Sequence, residues 1–136
     1  MDGQYVDMYE RTQQLKDPAS PIYGCDAFWN TFWNLNQLWA LATPDIMNKW
    51  VESLLEYYRV GGWLPNGPPG VEYCDIMGAQ HEIPLMVSAY QKGIRNYDVD
   101  KAYEAVKKTL TTQGTALSSG GIVGNRHLDV YLKYGF

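Results

Sequence analysis

The chain has 136 residues, 46% of them apolar, and a formal net charge of −4. This length suits one domain with a hydrophobic core and is too short for two. An acidic chain with no basic run lacks the electrostatic footprint of a nucleic-acid-binding protein. No apolar stretch reaches 18 residues, so no membrane span is predicted, and the N-terminus does not resemble a signal peptide.

The first half of the chain predicts two helices behind an entry segment. Residues 1–23 include the sequence DPASP, which is typical of a turn. A first helix is predicted from Asp26, because apolar residues recur there at three- and four-residue spacing. Thr43 then offers an N-cap with Pro44 at the first helical position. Gly61 and Gly62 are typical of a helix end.

The second half predicts three further helices. After the long loop of residues 61–78, a third helix is predicted over 85–94 and a fourth over 99–110, capped by Asp98. The polar segment 111–121 is interpreted as a connection, and a short helix closes over 127–134. Several helices with almost no strand pattern predict an all-α fold of helical hairpins with one long functional loop.

The loop and its surroundings hold the candidate chemistry. Carboxylates at Glu72 and Asp75 lie close in sequence to Trp63 and Tyr73, which suits a small-molecule site. Glycoside cleavage needs a neutral carboxylic acid to protonate the leaving oxygen, and burial among aromatic rings raises a glutamate pKa toward that role. Glu72 is placed to supply that acid. The alternative is a solvated loop glutamate.

Two other polar groups are open to two interpretations each. His81 could bind a metal or a sugar hydroxyl, or could be a structural histidine. Asn30, Asn34 and Gln37 lie at helical spacing and could line a cavity or form a solvated face. No HExxH, CxxC or paired-histidine spacing supports a zinc site.

Three segments taken together resemble glycoside hydrolase family 92, the calcium-dependent inverting α-mannosidases of bacteria and fungi. They are WNTFWNLNQLW (29–39), GGWLPNGPPGVEYCDIMG (61–78) and AYQKGIRNYDVDKAYEAVKK (89–108). The order and spacing of these segments match the family over roughly residues 25–110. The resemblance implies an (α/α)6 toroid, of which residues 1–136 would form part.

The resemblance also implies roles for individual residues. The family's general acid maps onto Glu72, and its sugar-binding aspartate maps onto Asn30. Trp63 and Tyr73 would shape the sugar subsite. His81 is matched to a family histidine with one residue of offset, because GAQHEIP is longer than the usual pattern.

The resemblance also implies a catalytic base and a metal ion. The family's base comes from paired aspartates in a Leu-Glu-Tyr-Ala-Tyr-Asp-Asp-type segment that this chain does not contain, so we expect little or no turnover from the chain alone. Calcium is implied as the cofactor, and Gln80 and Glu82 are the predicted ligands. The alternative for both residues is an exposed position at a helix start.

The expected substrates are mannose-containing glycans. The parent protein is expected to be a secreted or periplasmic bacterial enzyme, and faces exposed by truncation could drive self-association. The alternatives are a non-catalytic helical module that binds carbohydrate or protein, and another toroidal glycosidase that acts on glucosides. The pairing of Cys25 with Cys74 is left open.

Overall fold

The computed structural model describes residues 3–24, 28–65, 73, 80–118 and 120–135, with Trp29 described by its main chain only. Within these residues the fold consists of five α-helices, one 3₁₀ turn and four short strands. The elements in chain order are β1 (Gln4–Val6), β2 (Thr12–Gln14), the 3₁₀ turn (Phe28–Asn30), α1 (Leu35–Ala42), α2 (Pro44–Gly61), α3 (Glu82–Gln91), α4 (Val99–Thr111), β3 (Thr115–Ala116), β4 (Ile122–Val123) and α5 (Leu128–Tyr134).

The central helix α2 has the ends that its sequence predicts. Thr43 is the N-cap residue and Pro44 begins the helix, where a missing backbone N–H costs nothing. Gly62 ends it in the left-handed conformation (φ 78°), and its amide donates to Tyr58 O. Val51 and Leu54 of α2 are fully buried, so this helix forms the middle of the core.

Helix α1 is shorter than predicted. The 3₁₀ turn and the bends at residues 31–34 replace the first half of the expected helix, and Asp26 lies outside the described residues. The Thr31 hydroxyl donates to Phe28 O (3.1 Å), a local bond that competes with helix formation. The regular helix therefore begins only at Leu35.

The third and fourth helices are confirmed with shifted bounds. Helix α3 begins at Glu82, three residues before the prediction, because Pro84 is accommodated in the first turn. It ends at Gln91, ahead of Gly93, which has a φ of 82°. Asp98 caps α4 as predicted, accepting a hydrogen bond from Lys101 N (2.9 Å).

Two small antiparallel hairpins were not predicted. Strand β1 pairs with β2 in the register Tyr5 opposite Gln13, inside the segment interpreted as an entry. Strand β3 pairs with β4 in the register Thr115 opposite Val123, inside the predicted connection. Strands of two or three residues are too short to show an alternating pattern, and the fold is mainly helical rather than strictly all-α.

The core lies between α2, α3, α4 and the two hairpins. Helix α1 packs against this core through the partly buried Trp39 and Ala40, and Asn36 is its one residue described as buried; no residue of α5 is buried. Large apolar side chains therefore stay exposed on them, including Leu38, Leu41, Tyr131 and Leu132. The described helices do not show a closed ring, so the toroid stays a prediction.

None of the helices described here has the length and apolar character of a membrane span.

Candidate functional site

The predicted general acid, Glu72, lies outside the described residues, as do Cys25, Asp26, Cys74 and Asp75. The acid role of Glu72 and the pairing of the cysteines therefore stay predictions. Tyr73, the residue next to Glu72 in the chain, is described and is 1% exposed.

The side chain of Tyr73 contacts described residues at its hydroxyl and at its ring. Its hydroxyl donates to Trp63 O (3.0 Å), and its ring packs edge-to-face on Tyr9 with the centroids 5.4 Å apart. Tyr9 in turn donates to Gly61 O (3.2 Å) at the end of α2. The predicted sugar contact of Tyr73 stays untested, and in this structure its ring is enclosed.

Trp63 is half-buried and is positioned by a cation. Lys108 of α4 places its Nζ 4.4 Å from the centre of the Trp63 ring and donates to Gly62 O (2.7 Å). From the sequence, Lys108 was predicted only to lie at the C-terminal end of α4, where a positive charge is favourable. Its contact with Trp63, 45 positions earlier in the chain, depends on how α4 packs against α2.

The side-chain amide of Gln80 is hydrogen-bonded at its nitrogen but not at its oxygen. Its Nε2 donates to Gly124 O (2.8 Å), which fixes the orientation of the amide. The carbonyl Oε1 is buried and accepts no hydrogen bond. Gly124, which follows β4, also lies close to Trp63: a Cβ built on it would be 3.3 Å from the Trp63 ring. Gln80 and Trp63 therefore both lie next to Gly124.

Glu82 is fully buried in the first turn of α3, so its predicted alternative as an exposed helix-start residue is wrong. Neither carboxyl oxygen accepts a hydrogen bond from another residue. Burial raises the pKa of Glu82 to about 8, although its own backbone N–H works in the opposite direction. The carboxyl is therefore mainly neutral at pH 7.

His81 connects α3 to the segment that contains Asn30. It is the N-cap residue of α3, and its ring stacks on Phe32 with an interplanar angle of 7° and a centroid distance of 5.8 Å. Burial lowers the pKa of His81 below its ordinary value, which favours the neutral imidazole. Phe32 follows Asn30 by two residues, so the stack fixes that segment beside α3.

Asn30 is exposed, as are Asn34 and Gln37. The polar stripe predicted from their spacing is therefore a surface of the described structure rather than the wall of an enclosed cavity. The predicted contact of Asn30 with sugar hydroxyls stays a prediction, since the structure shows only that the residue is exposed.

The residues present fit a hard cation by donor type. Gln80 Oε1 and the two carboxyl oxygens of Glu82 are buried oxygens without partners, and calcium prefers oxygen ligands. Among the residues that the structure describes, no group of three or more His, Cys, Asp or Glu is arranged to hold a metal ion. Gln80 and Glu82 would thus supply part of a coordination shell.

A separate groove of about 420 Å³ lies between α3 and α4. It is lined mainly by apolar and aromatic side chains, including Met86, Tyr90, Tyr103 and Val106. It contains none of the predicted site residues, so it does not coincide with the candidate site.

Comparison with known proteins identifies the family. The model of the glycosyl hydrolase family 92 catalytic domain matches residues 1–136. No curated protein matches the chain with significant similarity.

Solved structures have a similar fold. A family 92 inverting mannosidase from Bacteroides thetaiotaomicron superposes with a TM-score of 0.72 at 24% sequence identity, over 98% of this chain and 18% of that protein. A second family 92 α-mannosidase from the same organism, in complex with mannoimidazole, gives a TM-score of 0.66 at 23% identity, over 78% of this chain and 14% of that protein. The chain therefore spans less than a fifth of the length of either protein.

Proposed function

Because this chain belongs to glycoside hydrolase family 92, we propose that it forms part of an exo-acting, inverting α-mannosidase acting on α-1,2-linked mannose in glycans. The observation that carries this proposal is the family match across all 136 residues. The mannoimidazole complex of the second structural relative supports a mannose-like ligand.

The proposed acid is Glu72, which would protonate the oxygen of the leaving group. Inverting cleavage also needs a carboxylate base, about 6.5–9.5 Å from the acid, to activate a water molecule. We propose that the base comes from a segment that this chain does not contain. The chain alone is then expected to show little or no turnover.

The sugar would be bound by side chains around the acid. Trp63 offers a flat apolar face that Lys108 fixes, and Asn30 offers an exposed amide for hydroxyl groups. The imidazole of His81 would act as a neutral hydrogen-bonding group. Tyr73 would shape the subsite through the packing of Trp63, since its hydroxyl is bonded to the Trp63 carbonyl.

Calcium is the proposed cofactor. When bound, it would ligate vicinal sugar hydroxyls and favour distortion of the ring toward the transition state. The partnerless oxygens of Gln80 and Glu82 support this proposal, because an ion would supply the missing electrostatic partner and would favour the ionised form of Glu82.

Replacing Glu72 with Gln in the complete enzyme tests the acid role. We expect kcat to fall about 100-fold or more on mannosides with poor leaving groups. The fall should be much smaller on activated aryl mannosides, because their aryl oxide leaving group departs without protonation. Glu10→Gln, at an exposed glutamate, is the matched control. Equal losses on both substrates would remove Glu72 from the acid role.

The second candidate is a helical module that binds carbohydrate or protein without catalysis. The exposed aromatic and aliphatic side chains of α1 and α5 favour it, because apolar patches mark association surfaces. Two measurements with α-1,2-mannobiose distinguish the two candidates: calorimetric titration of the chain measures binding, and an assay of the complete protein measures hydrolysis. Tight binding together with an absence of hydrolysis would favour the module.

A further inference from the structure

Gly124, the residue after β4, lies next to two of the predicted site residues. Its carbonyl accepts a hydrogen bond of 2.8 Å from Gln80 Nε2. A Cβ built on Gly124 would lie 3.3 Å from the Trp63 ring, 3.0 Å from Thr112 O and 3.3 Å from Gln113 O. The main chain at Gly124 therefore contacts both the predicted calcium ligand and the residue that is proposed to face the sugar.

The conformation and the surroundings of Gly124 both require glycine. Its φ of 74° lies in the left-handed region, which residues with a Cβ rarely adopt. A side chain there would press on two carbonyl oxygens and on the Trp63 ring, so the main chain or these groups would have to shift. The next residue is fixed to the end of α4, because Asn125 N donates to Thr112 O (2.9 Å) and Asn125 Nδ2 donates to Leu110 O (3.0 Å).

The Gly124 carbonyl determines which end of the Gln80 amide stays free. A carbonyl oxygen only accepts hydrogen bonds, so the amide turns its Nε2 toward Gly124 and its Oε1 away. Oε1 is buried and accepts no hydrogen bond. A buried acceptor in this state costs free energy until a donor or a cation meets it. The hydrogen bond thus leaves free the kind of atom that calcium prefers as a ligand.

The orientation of a ligand affects the affinity for its metal ion. Groups that hydrogen-bond to metal ligands fix their orientation, and replacing such groups typically weakens metal binding about 10–100-fold. Gly124 has this relation to Gln80, since it binds the nitrogen of the amide whose oxygen is free. If the amide were released, its NH2 group could turn toward the ion, and that group has no lone pair to offer calcium.

We propose that Gly124 is a positioning residue for calcium binding: its carbonyl holds the Gln80 amide so that Oε1 is left for the ion, and its lack of a side chain lets the same main chain lie against Trp63. This inference rests on the calcium site proposed above, with Gln80 as one of its ligands. It assigns the placement of a metal ligand to a glycine 44 positions later in the chain.

The test measures calcium binding to the complete enzyme by isothermal titration calorimetry after calcium has been removed with a chelator. We expect Gly124→Ala to raise the Kd for calcium about 10–100-fold. The matched control is Gly120→Ala, because Gly120 has a φ of 94° but nothing lies within 4 Å of a Cβ built on it. The control strains the backbone in the same way and should leave Kd unchanged. Should Gly124→Ala fail to fold, Gly124→Asn takes its place with the same expected rise, because Asn tolerates the left-handed conformation.

A double-mutant cycle with Gln80→Leu determines whether Gly124 acts through Gln80. Gln80→Leu removes the whole amide and should raise Kd at least as much as Gly124→Ala does. In the Gln80→Leu background, Gly124→Ala should change Kd no further, because the group that Gly124 positions is already absent. Additive losses of affinity would show that Gly124 does not act through the Gln80 amide, and they would overturn the inference.

The remaining outcomes separate the positioning role from the proposed cofactor. A raised Kd in Gln80→Leu beside an unchanged Kd in Gly124→Ala would overturn the positioning role and leave Gln80 as a ligand. Equal rises in Gly124→Ala and Gly120→Ala would indicate a general effect of strain, which also overturns it. If the unsubstituted enzyme binds no calcium, the proposed cofactor is wrong and the positioning role fails with it.

Discussion

The Nζ of Lys108 lies 4.4 Å from the centre of the Trp63 ring while it donates a 2.7 Å hydrogen bond to the carbonyl of Gly62. One lysine of α4 thus joins the C-cap of α2 to the residue that is proposed to face the sugar. The ammonium group satisfies a helix-end carbonyl and holds an aromatic ring at the same time.

Replacing Lys108 with Met should remove both interactions while keeping most of the aliphatic stem. We expect the free energy of unfolding to fall by about 1–2 kcal/mol, because a charge-assisted hydrogen bond and a cation–π contact are lost. Urea denaturation of the chain measures this change. The control is Lys107→Met on the exposed side of the same helix, and an equal loss there would contradict the assignment.

Tyr73→Phe should affect stability more than sugar binding. The Tyr73 hydroxyl is bonded to Trp63 O, so its removal should cost about 1 kcal/mol of stability. In the complete enzyme we expect KM for a mannoside to stay unchanged, since the hydroxyl is already engaged. Tyr103→Phe, at an exposed tyrosine, is the control. A rise in KM without loss of stability would instead favour direct contact between Tyr73 and the sugar.

Calcium should stabilise the protein through Glu82. At calcium concentrations about 100-fold above Kd we expect Tm of the chain to rise by about 5 °C or more. Glu82→Gln should abolish most of this rise, because it removes the anionic ligand, whereas Glu10→Gln should retain it. Differential scanning calorimetry with calcium and then with a chelator measures both. An unchanged rise in Glu82→Gln would exclude Glu82 as a ligand.

Asp7 should make stability depend on pH at the acid end. Burial alone would raise its pKa, but hydrogen bonds from the side chain and backbone of Arg11, the backbone of Tyr9 and the side chain of Gln13 outweigh it and lower the pKa below 3.8. A carboxyl with a lowered pKa stabilises the fold above its unfolded pKa, and that stabilisation is lost as pH falls through the folded pKa.

Asp7→Asn tests this dependence. The carboxyl Oδ2 accepts from Arg11 Nε and Gln13 Nε2, both at 2.8 Å, and an amide nitrogen in its place would face two donors. We expect a loss of about 2 kcal/mol at pH 7 that shrinks as pH falls below about 4. Asp17→Asn, at an exposed position, is the control. A loss that does not vary with pH would contradict the mechanism.

Local chemistry made several helix ends predictable from the sequence. Pro44, Gly62 and Asp98 act through groups within a few residues of themselves, and each occupies the predicted position. Thr43 stands at the predicted N-cap position, but its side chain makes no capping hydrogen bond. The hairpins were not predictable because strands such as Thr12–Gln14 have no apolar alternation and depend on one tertiary pairing.

The candidate site depended more on tertiary packing. Trp63, Tyr73 and Gln80 were selected from the sequence, and the structure brings them together through Tyr73 OH and through Gly124. The burial of Glu82 was not predictable, because its position on the helix alone does not tell which face packs inward. The need for glycine at position 121 was not predictable either, because the atom that a Cβ there would overlap is the carbonyl oxygen of Tyr73, 48 positions earlier in the chain.

Helix α2 makes different contacts at its two ends, which lie far apart. Its 18 residues extend for about 27 Å at 1.5 Å per residue. Near its beginning, Asn48 donates to Asn96 O, and at its far end Gly61 and Gly62 contact Tyr9 and Lys108. We therefore expect substitutions around Asn48 to change the stability of the fold while the end of α2 next to Trp63, which is proposed to face the sugar, keeps its geometry.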